Sequence, residues 1–379
     1  MTLENTEISK SILAGSTVDF PVGYSETLPE LRYENNPDFN QSIDEEYDLV
    51  TICDASFQPS KILFLMEPET YRLALKQFRD QEVEDLKETI FYDFPTPIAY
   101  NFYRFEKGYE NEQQRLLLLR DTWESIICLL YSMVVGEFRC LNLPMKETAI
   151  RHKQLVSDTY HDKLSVIEQL IKLALDNNYN LSCIKIIPMK AIEKLSDLQA
   201  VRNDFAHGSA KSNEQCRQII FQHYDNIISI FKDIEELKNA TLMRYVGQLN
   251  NILEFRHEEF KGSSLNRTFE KTILTKEQLI SVSSYLNDQT ILVKYESHLY
   301  SISPFTYFKK DETGNYTRLC FYKRKKGEES NLQLFYELIG GFGEIEIAED
   351  EFKADFKTAT EELRLLLPDL SGKTGGKSA

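Results

Sequence analysis

The sequence predicts an α+β protein made of three modules and a tail. Residues 111–241 contain four successive segments with apolar residues at every third or fourth position, the pattern of a four-helix bundle. From about residue 270 the apolar spacing changes to every second residue, which is typical of antiparallel strands. We therefore expect an N-terminal mixed α/β module over 1–110, a central all-α bundle, a C-terminal antiparallel β-rich module over 242–365 and a disordered tail over 366–379.

Composition and charge are those of an ordinary globular protein. Of 379 residues, 42% are hydrophobic and 27% are charged, and no apolar run approaches the roughly eighteen residues of a membrane-spanning helix. Because no secretory signal opens the chain, we predict a cytoplasmic protein without membrane contact. The net charge of −16 is uneven: 22 acidic and 9 basic residues give −13 in 1–110, and 38 acidic and 35 basic residues give −3 afterwards. A basic surface for nucleic acid is therefore compatible with the segment after residue 110.

The six cysteines show neither a Cys-x-x-Cys pair nor a regular spacing, and four of them lie in apolar contexts. This usage is typical of buried thiols in a reducing compartment, and it argues against a disulfide framework or a zinc site. No pair of histidines has the spacing of metal ligands. The sequence therefore predicts neither a metal nor another cofactor. The glycine cluster at 340–343 follows a strand, and we interpret it as a turn.

Residues 1–110 combine short apolar runs with one helical pattern. The runs at 48–53 and 61–66 favour strands. Residues 69–88 have apolar side chains at helical spacing, and the prolines within 91–97 end the module. We expect an acidic α/β or α+β unit here.

Four helices are predicted within the bundle. The first, at about 112–138, is apolar nearly all round, which favours the centre of a bundle or a subunit interface. The second covers 159–175 behind good capping residues, and the fourth begins at Ser212 with the capping-box pattern Ser-Asn-Glu-Gln. The third begins at the proline of position 188, because proline is tolerated in the first turn of a helix.

The third helix carries the residues on which the functional prediction depends. Arg202 and Asn203 lie at the flank of its apolar stripe, and Gly208 provides a left-handed stop. Asn203 and His207 are four residues apart, so they are neighbours on one helix face. The stripe itself consists of Ile192, Leu195, Leu198, Val201 and Phe205.

The stretch from Arg202 to His207 resembles the R-x(4–6)-H signature of the HEPN superfamily, a group of small helical bundles that includes many RNases. In that family a polar residue, often asparagine, follows the arginine, as Asn203 does here. The spacing alone is weak evidence, because roughly 0.8 such pairs are expected by chance from sixteen arginines and six histidines. A second pair, Arg217 and His223, lies inside the fourth helix, and we interpret it as helix surface. The resemblance covers about 130 residues, a third of the chain.

This resemblance implies a metal-independent endoribonuclease that leaves a 2′,3′-cyclic phosphate and a free 5′-hydroxyl on its RNA substrate. It assigns proton transfer to His207, and phosphate binding with charge stabilisation to Arg202. Asn203 is assigned to positioning, and Asp204 to orienting Arg202 or His207. One motif supplies too few groups for both proton transfers, and the family combines two motifs in a homodimer.

Three other interpretations stay open. The Arg202–His207 pair would only cap a helix end, where the dipole favours a cation; the bundle would bind RNA or a nucleotide without cleavage; or the bundle would only dimerise while the acidic module meets a basic partner. Stand-alone HEPN nucleases commonly act in toxin–antitoxin or anti-phage systems, so the flanking modules are expected to bind a trigger or regulator. Ser209 stands where some toxin members carry a modified tyrosine, so that form of control is not expected.

Five strand-like segments in the C-terminal module predict one small antiparallel sheet with hairpin loops near 311–315 and 326–329. The strands are expected at 290–295, 299–302, 305–308, 316–322 and 332–338. Basic residues lie on neighbouring strands with aromatic residues between them, which suits a sheet that binds RNA phosphates and stacks on bases. The alternative is a solvated hairpin whose rings face the core. The candidate RNA-binding residues are Lys309, Lys310, Arg318, Lys323, Arg324, Lys325 and Lys326, with Tyr307, Phe308, Tyr316, Phe321 and Tyr322 between them.

Overall fold

The computed structural model describes residues 50–52, 55–57, 67–206, 211–248, 254–266, 268–309, 319–327, 331–340 and 343–367. Only the backbone is described at 50–52, 55–57, 200–206 and 248. The chain divides into two compact units, residues 1–87 and 88–379, and the predicted bundle and β-rich segments both belong to the second. The α+β class is confirmed.

The first unit contains a short hairpin and most of a long helix. Strands β1 (Val50–Ile52) and β2 (Ala55–Phe57) pair antiparallel, and helix α1 (Pro68–Asp93) runs across the unit boundary. The strand expected at 48–53 and the helix expected at 69–88 are therefore confirmed, and the helix is longer by five residues at its C-terminal end. The strand expected at 61–66 lies outside the described residues.

The helices of the second unit include all four that the apolar spacing predicts. Their bounds are α2 (Thr96–Lys107), α3 (Glu112–Cys140), α4 (His152–Leu155), α5 (Tyr160–Asp176), α6 (Ser182–Ile186), α7 (Met189–Ala206) and α8 (Asn213–Asp233). Helix α2 was not predicted, because its two prolines indicate a module end; Pro97 instead lies in the first turn, where its missing N–H costs nothing.

Helix α3 is the centre of the helical part, as its all-round apolar pattern predicts. It packs against α2, α5 and α8, and α7 packs against α5 and α8. Its middle section is fully buried at Ile126, Ile127, Leu129, Leu130 and Val134. Because that section has neighbours on every side, it needs apolar side chains on every face.

Polar side chains fix where these helices begin. Asn111 accepts a hydrogen bond from the backbone N–H of Gln114 at the start of α3. At the start of α8, Ser212 and Gln215 form both hydrogen bonds of a capping box, as predicted. Each cap satisfies backbone donors that the first helical turn leaves without a partner.

The C-terminal part contains two antiparallel sheets, so the prediction of one small sheet is wrong. The first has the order β5-β4-β3-β6-β7 and the second the order β11-β10-β9-β8. The strands are β3 (Thr241–Gln248), β4 (Glu254–Glu259), β5 (Thr268–Ile273), β6 (Ile291–Tyr295), β7 (His298–Ser301), β8 (Thr306–Phe308), β9 (Leu319–Lys326), β10 (Gln333–Leu338) and β11 (Glu344–Ile347). The expected strands from residue 290 onwards are confirmed where they are described, but β3, β4, β5 and β11 were missed. Strand β5 is largely exposed on both faces, so it lacks the alternation that marks a half-buried strand.

Two helices complete this part of the fold. Helix α9 (Lys276–Val282) packs on β7, and helix α10 (Asp350–Leu366) covers the four-stranded sheet through Phe352 and Phe356. A small core between the first sheet and α9 contains Met243, Phe255, Leu274, Val282, Leu292 and Leu299. Among the described helices, none is both long and apolar enough to cross a membrane.

Turns follow the predicted positions where they are described. Strands β9 and β10 pair antiparallel from Lys326 opposite Gln333, so the chain reverses there. The loop expected at 311–315 lies outside the described residues. Gly340 and Gly343 have positive φ values of 69° and 90° between the paired strands β10 and β11, which confirms the turn.

The first sheet lies directly on α3. A Cβ atom at Gly136 would be 2.5 Å from the backbone oxygen of Ser301, so this contact admits only glycine. One turn later, the Arg139 guanidinium donates from Nη1 to the backbone oxygen of Ser303 at 2.7 Å. The last turns of α3 are therefore fixed to β7 and the loop that follows it.

Candidate functional site

Arg202, Asn203 and Asp204 lie in the last five residues of α7. The helix continues to Ala206, as the apolar stripe predicts, and His207 and Gly208 lie outside the described residues. Upstream in the stripe, Ile192 and Leu195 are buried. The structure thus places three of the four predicted catalytic residues on consecutive positions at the C-terminal end of one helix.

Two contacts hold the first half of α7 in the bundle. The Trp123 indole on α3 donates to the backbone oxygen of Leu195 at 3.1 Å. Asp233, the last residue of α8, pairs with Lys190 at 2.6 Å and with Lys194 at 2.5 Å, both near the start of α7. Helices α7 and α8 therefore run antiparallel.

The chain returns to the bundle beside the start of α3. The Gln113 side chain of α3 donates to the backbone oxygen of Lys211, just before α8 begins. One turn into α8, Arg217 lies 3.4 Å from the carboxylate of Glu112. The C-terminal end of α7 therefore lies at the end of the bundle where both α3 and α8 begin.

In the second Arg…His pair only the arginine lies on the helix surface, as expected. Arg217 is exposed on α8 and also lies 3.5 Å from Glu214. His223 is half-buried on the same helix, and this burial lowers its pKa. The pair therefore offers a matched control for the motif on α7.

The predicted RNA-binding residues of the second sheet are only partly placed. Lys323 pairs with Glu337 at 2.7 Å, and Arg324 pairs with Glu344 at 2.6 Å while its guanidinium lies 4.1 Å from the ring centre of Phe335. Lys325 and Lys326 are exposed, and Lys309 is half-buried. Lys310 and Arg318 lie outside the described residues. RNA binding by these side chains stays a prediction.

The prediction that aromatic residues of this sheet stack on RNA bases is wrong. Tyr307, Phe308, Phe321 and Tyr322 are all buried, so they are not available to stack on bases; Tyr316 lies outside the described residues. For Tyr307 and Tyr322 the reason is α10, which was not predicted: its Phe352 ring lies 4.0 Å from the ring of Tyr307, and its Phe356 ring 5.1 Å from that of Tyr322. The Phe308 ring lies 6.1 Å from that of Phe260. The rings face the core, as in the solvated-hairpin alternative.

A polar cavity that the sequence did not predict lies between α3, α5 and the second sheet. It encloses about 50 Å³. Its lining includes Glu124 of α3, Tyr160 and Lys163 of α5, and the Lys323–Glu337 pair. Lys323 is the extra residue of a β-bulge, because Tyr322 and Arg324 face consecutive residues of β10. Such a bulge redirects side chains, and here it places a basic one at the cavity.

The buried ionisable groups of this cavity have shifted pKa values. Glu124 accepts a hydrogen bond from the Tyr160 hydroxyl at 2.8 Å, and burial raises the pKa of its carboxyl group. The Lys163 ammonium donates to the backbone oxygen of Ser157 at 2.9 Å and lies 5.2 Å from the ring centre of Tyr131. Burial lowers the pKa of Lys163. Burial thus favours the uncharged form of both groups.

The only sequence signal for this cavity is a charged residue within each apolar helix. Glu124 follows Trp123 in the fully buried section of α3, and Lys163 precedes Leu164 at the start of the apolar pattern of α5. A charge at such a position is rarely buried without a structural or chemical role. Its partners lie on other elements, so the spacing within one helix does not identify them.

Replacing Glu124 with glutamine is expected to make stability less dependent on pH. Since the folded-state pKa of Glu124 is raised, the folded protein retains this proton longer than the unfolded chain as the pH increases. The contribution of Glu124 to the free energy of unfolding is therefore fully present below the ordinary pKa of glutamate. It declines as the pH rises through the pKa that Glu124 has in the folded protein. The uncharged glutamine lacks this decline, so the variant should gain stability relative to wild type between pH 4 and pH 7. Urea unfolding of both proteins across this range measures the difference.

The matched control is Glu168→Gln on α5, where the glutamate is exposed and pairs with Lys172. It should change stability little at either pH. A Glu124→Gln variant whose stability relative to wild type stays constant, or decreases, from pH 4 to pH 7 would contradict a raised pKa at Glu124.

The remaining chemistry-bearing residues do not form a metal cluster or a disulfide within the described part of the chain. The five cysteines described there are free thiols, and no three His, Cys, Asp or Glu side chains are close enough to hold a metal ion. Comparisons of the chain with family models, with curated proteins and with solved structures found no match. Function is therefore inferred from the residues and their placement.

Proposed function

We propose that this protein is a metal-independent endoribonuclease of the HEPN type that acts as a homodimer. The observation that supports it most is the position of Arg202 and Asn203 in the last turns of α7, at one end of a helical bundle. A residue pair taken at random has no reason to occupy a helix end within four packed helices. Here the helix, its packing on α3 and α8, and the spacing of the motif occur together.

The chemistry follows from the side chains of the motif. His207 comes directly after the last residue of α7, and a histidine near the C-terminal end of a helix is favoured as a cation by the helix dipole. A protonated imidazole donates to the leaving 5′-oxygen, whereas a neutral one accepts the proton of the attacking 2′-hydroxyl. Arg202 presents two N–H groups to the phosphate, and Asn203 positions the RNA or the histidine.

Two copies of the motif are needed, because one histidine cannot be the acid and the base of the same step. We therefore propose that the bundle ends of two chains meet. An exposed aromatic residue supports an interface on the helices: Phe221 of α8 is 83% exposed, and Leu117 of α3 is 46% exposed. When a second chain covers large apolar side chains at such positions, their removal from water stabilises the dimer.

Wild-type protein should cut 5′-labelled RNA in the presence of EDTA and leave ends with a 2′,3′-cyclic phosphate. The same RNA with 2′-O-methyl groups should remain intact, because the attacking hydroxyl is blocked. The double variant Arg202→Ala/His207→Ala sets the background. Products with a 3′-hydroxyl, or equal cleavage by the double variant, would refute the proposal.

The expected biological setting is a toxin or anti-phage system in which RNA cleavage stops growth. Inducing the wild-type protein in cells should fragment RNA and slow growth, and the double variant should do neither. The experiment in cells also detects an enzyme that is active only in the presence of a cellular trigger. Intact RNA together with identical growth of both strains would leave only a binding or interaction role.

A further inference from the structure

A second cavity lies where the end of α3 meets the first sheet and α10. It encloses about 160 Å³, three times the polar cavity described above. Its walls are the last turn of α3, the segment before β6, the end of β7 and one face of α10. Its described lining residues belong to α3, to the segments around β6 and β7 and to α10, which are elements other than the α7 of the proposed RNase site.

Arg139 is the principal charged group of this cavity. Its side chain is only 5% exposed, and its guanidinium lies 4.7 Å from the ring centre of Tyr285. Nη1 donates to Ser303, but Nε is buried and has no hydrogen-bond partner within the described residues. A buried guanidinium N–H without a hydrogen-bond acceptor is costly, so the folded chain leaves a strong donor without its hydrogen bond.

The nearest carboxylate does not satisfy this donor. An oxygen of Glu362 lies 3.4 Å from Nε, but it makes no hydrogen bond there. The Glu362 side chain is 42% exposed on α10, so it can rotate into solvent without breaking the core. Glu362 thus neutralises part of the charge of Arg139 and leaves the planar N–H edge open to a better acceptor.

Besides Arg139 and two carboxylates of α10, Asp355 and Glu362, the cavity lining includes neutral polar residues. Ser284, Gln289 and Ser301 line the cavity together with Arg139, and their side chains carry hydroxyl or amide groups. A guanidinium edge with hydroxyl and amide donors is the arrangement that binds carboxylate and phosphoryl oxygens. Asp355 on α10 accepts a hydrogen bond from the Asn287 side-chain amide at 3.1 Å, so its charge is partly compensated.

We propose that this cavity binds a small organic anion whose carboxylate or phosphoryl group takes the Nε–H edge of Arg139 and displaces Glu362. The volume admits a molecule of roughly five to ten non-hydrogen atoms. The anionic group pairs with Arg139, and the remainder of the molecule contacts the serine and glutamine donors. This binding is independent of RNA cleavage at α7.

The test uses the full-length protein and four probes: inorganic phosphate, glycerol 3-phosphate, acetate and succinate. Thermal unfolding and calorimetric titration are recorded at constant ionic strength, with sodium chloride as the reference salt. At least one probe should bind saturably and raise the melting temperature. Comparing the affinities of the two phosphates with those of the two carboxylates shows which anionic group the site accepts.

Two substitutions connect the binding to the geometry. Arg139→Gln should abolish saturable binding, because it removes the guanidinium edge. Glu362→Gln should bind the same probe roughly fivefold more tightly, because it removes a competing and half-exposed carboxylate. The matched control is Glu361→Gln, whose glutamate pairs with Arg364 on the same helix and does not line the cavity; it should bind like wild type.

The proposal is overturned if no probe binds saturably to wild type or to Glu362→Gln. It is also overturned if Arg139→Gln binds as wild type does. If Arg139→Gln does not fold, the affinity of Glu362→Gln for the probe tests the proposal instead. An affinity equal to or weaker than that of wild type would mean that Glu362 does not compete with an anion at Arg139, and it would overturn the proposal.

Discussion

His207→Ala should lower the rate of RNA cleavage roughly a thousandfold while leaving the melting temperature unchanged. General acid–base catalysis contributes about 10² to 10⁴ in rate, and in the proposed dimer both proton transfers depend on this residue. Because alanine leaves Arg202 in place, RNA should still bind, so the loss should lie in kcat and not in KM. Single-turnover cleavage of labelled RNA at saturating protein, with a parallel binding titration, separates the two quantities.

The chain contains its own control for this experiment. His223→Ala removes a half-buried histidine six residues after the exposed Arg217 of α8, so it tests a pair of the same spacing outside the proposed site. It should cleave RNA at the wild-type rate. Residual activity of His207→Ala within about tenfold of wild type would exclude proton transfer by His207. A similar loss in both variants would point to a general effect on folding.

The helical half of the fold was predictable because its signals are local. The apolar stripe of α7, the capping box at Ser212 and the all-round apolar pattern of α3 each depend on residues within one helix. Helix α2 escaped because proline is ambiguous: it ends a helix in one context and begins one in another. The position of Arg202 at a helix end was therefore foreseeable, whereas the packing around it was not.

The β half was less predictable because burial there is decided by elements far away in sequence. Tyr307 lies next to Phe308 and Tyr322 next to Phe321, so aromatic residues occur on both faces of these strands, and the burial of the two tyrosines depends on α10, which begins only at Asp350. Once Phe352 and Phe356 cover them, the rings become core. The interpretation of the basic strands as a base-stacking surface failed at this step.

Both cavities illustrate the same limit. Arg139 meets Ser303 and Glu362 across more than 150 residues of chain, and Glu124 meets Tyr160 from a different helix. No spacing rule connects such residues, because only the tertiary fold brings them together. The sequence does show that Glu124, Glu137 and Arg139 are charged residues within the long apolar run of α3, where a charge is unusual.

Glu137→Ala should lower the free energy of unfolding by about 4 kcal/mol. Glu137 is fully buried on α3, and its two carboxyl oxygens accept the backbone N–H groups of Ser182 at 2.7 Å and Cys183 at 2.9 Å. These are the first donors of α6, which have no partner within the helix. Alanine leaves both donors buried without an acceptor and opens a cavity between α3 and α6. Urea unfolding followed by circular dichroism measures the loss.

Two variants bracket the explanation. Glu137→Gln retains one acceptor oxygen of the pair, so its loss should lie between wild type and Glu137→Ala. Glu147→Ala, an exposed glutamate in the loop after α3, should change stability by less than about 0.5 kcal/mol. A loss below about 1 kcal/mol for Glu137→Ala would mean that water or a shift of α6 replaces the carboxyl group. The hydrogen bonds of the Glu137 side chain would then not be what fixes the short helix α6 to the centre of the bundle. The same would hold for the start of α7, which follows α6.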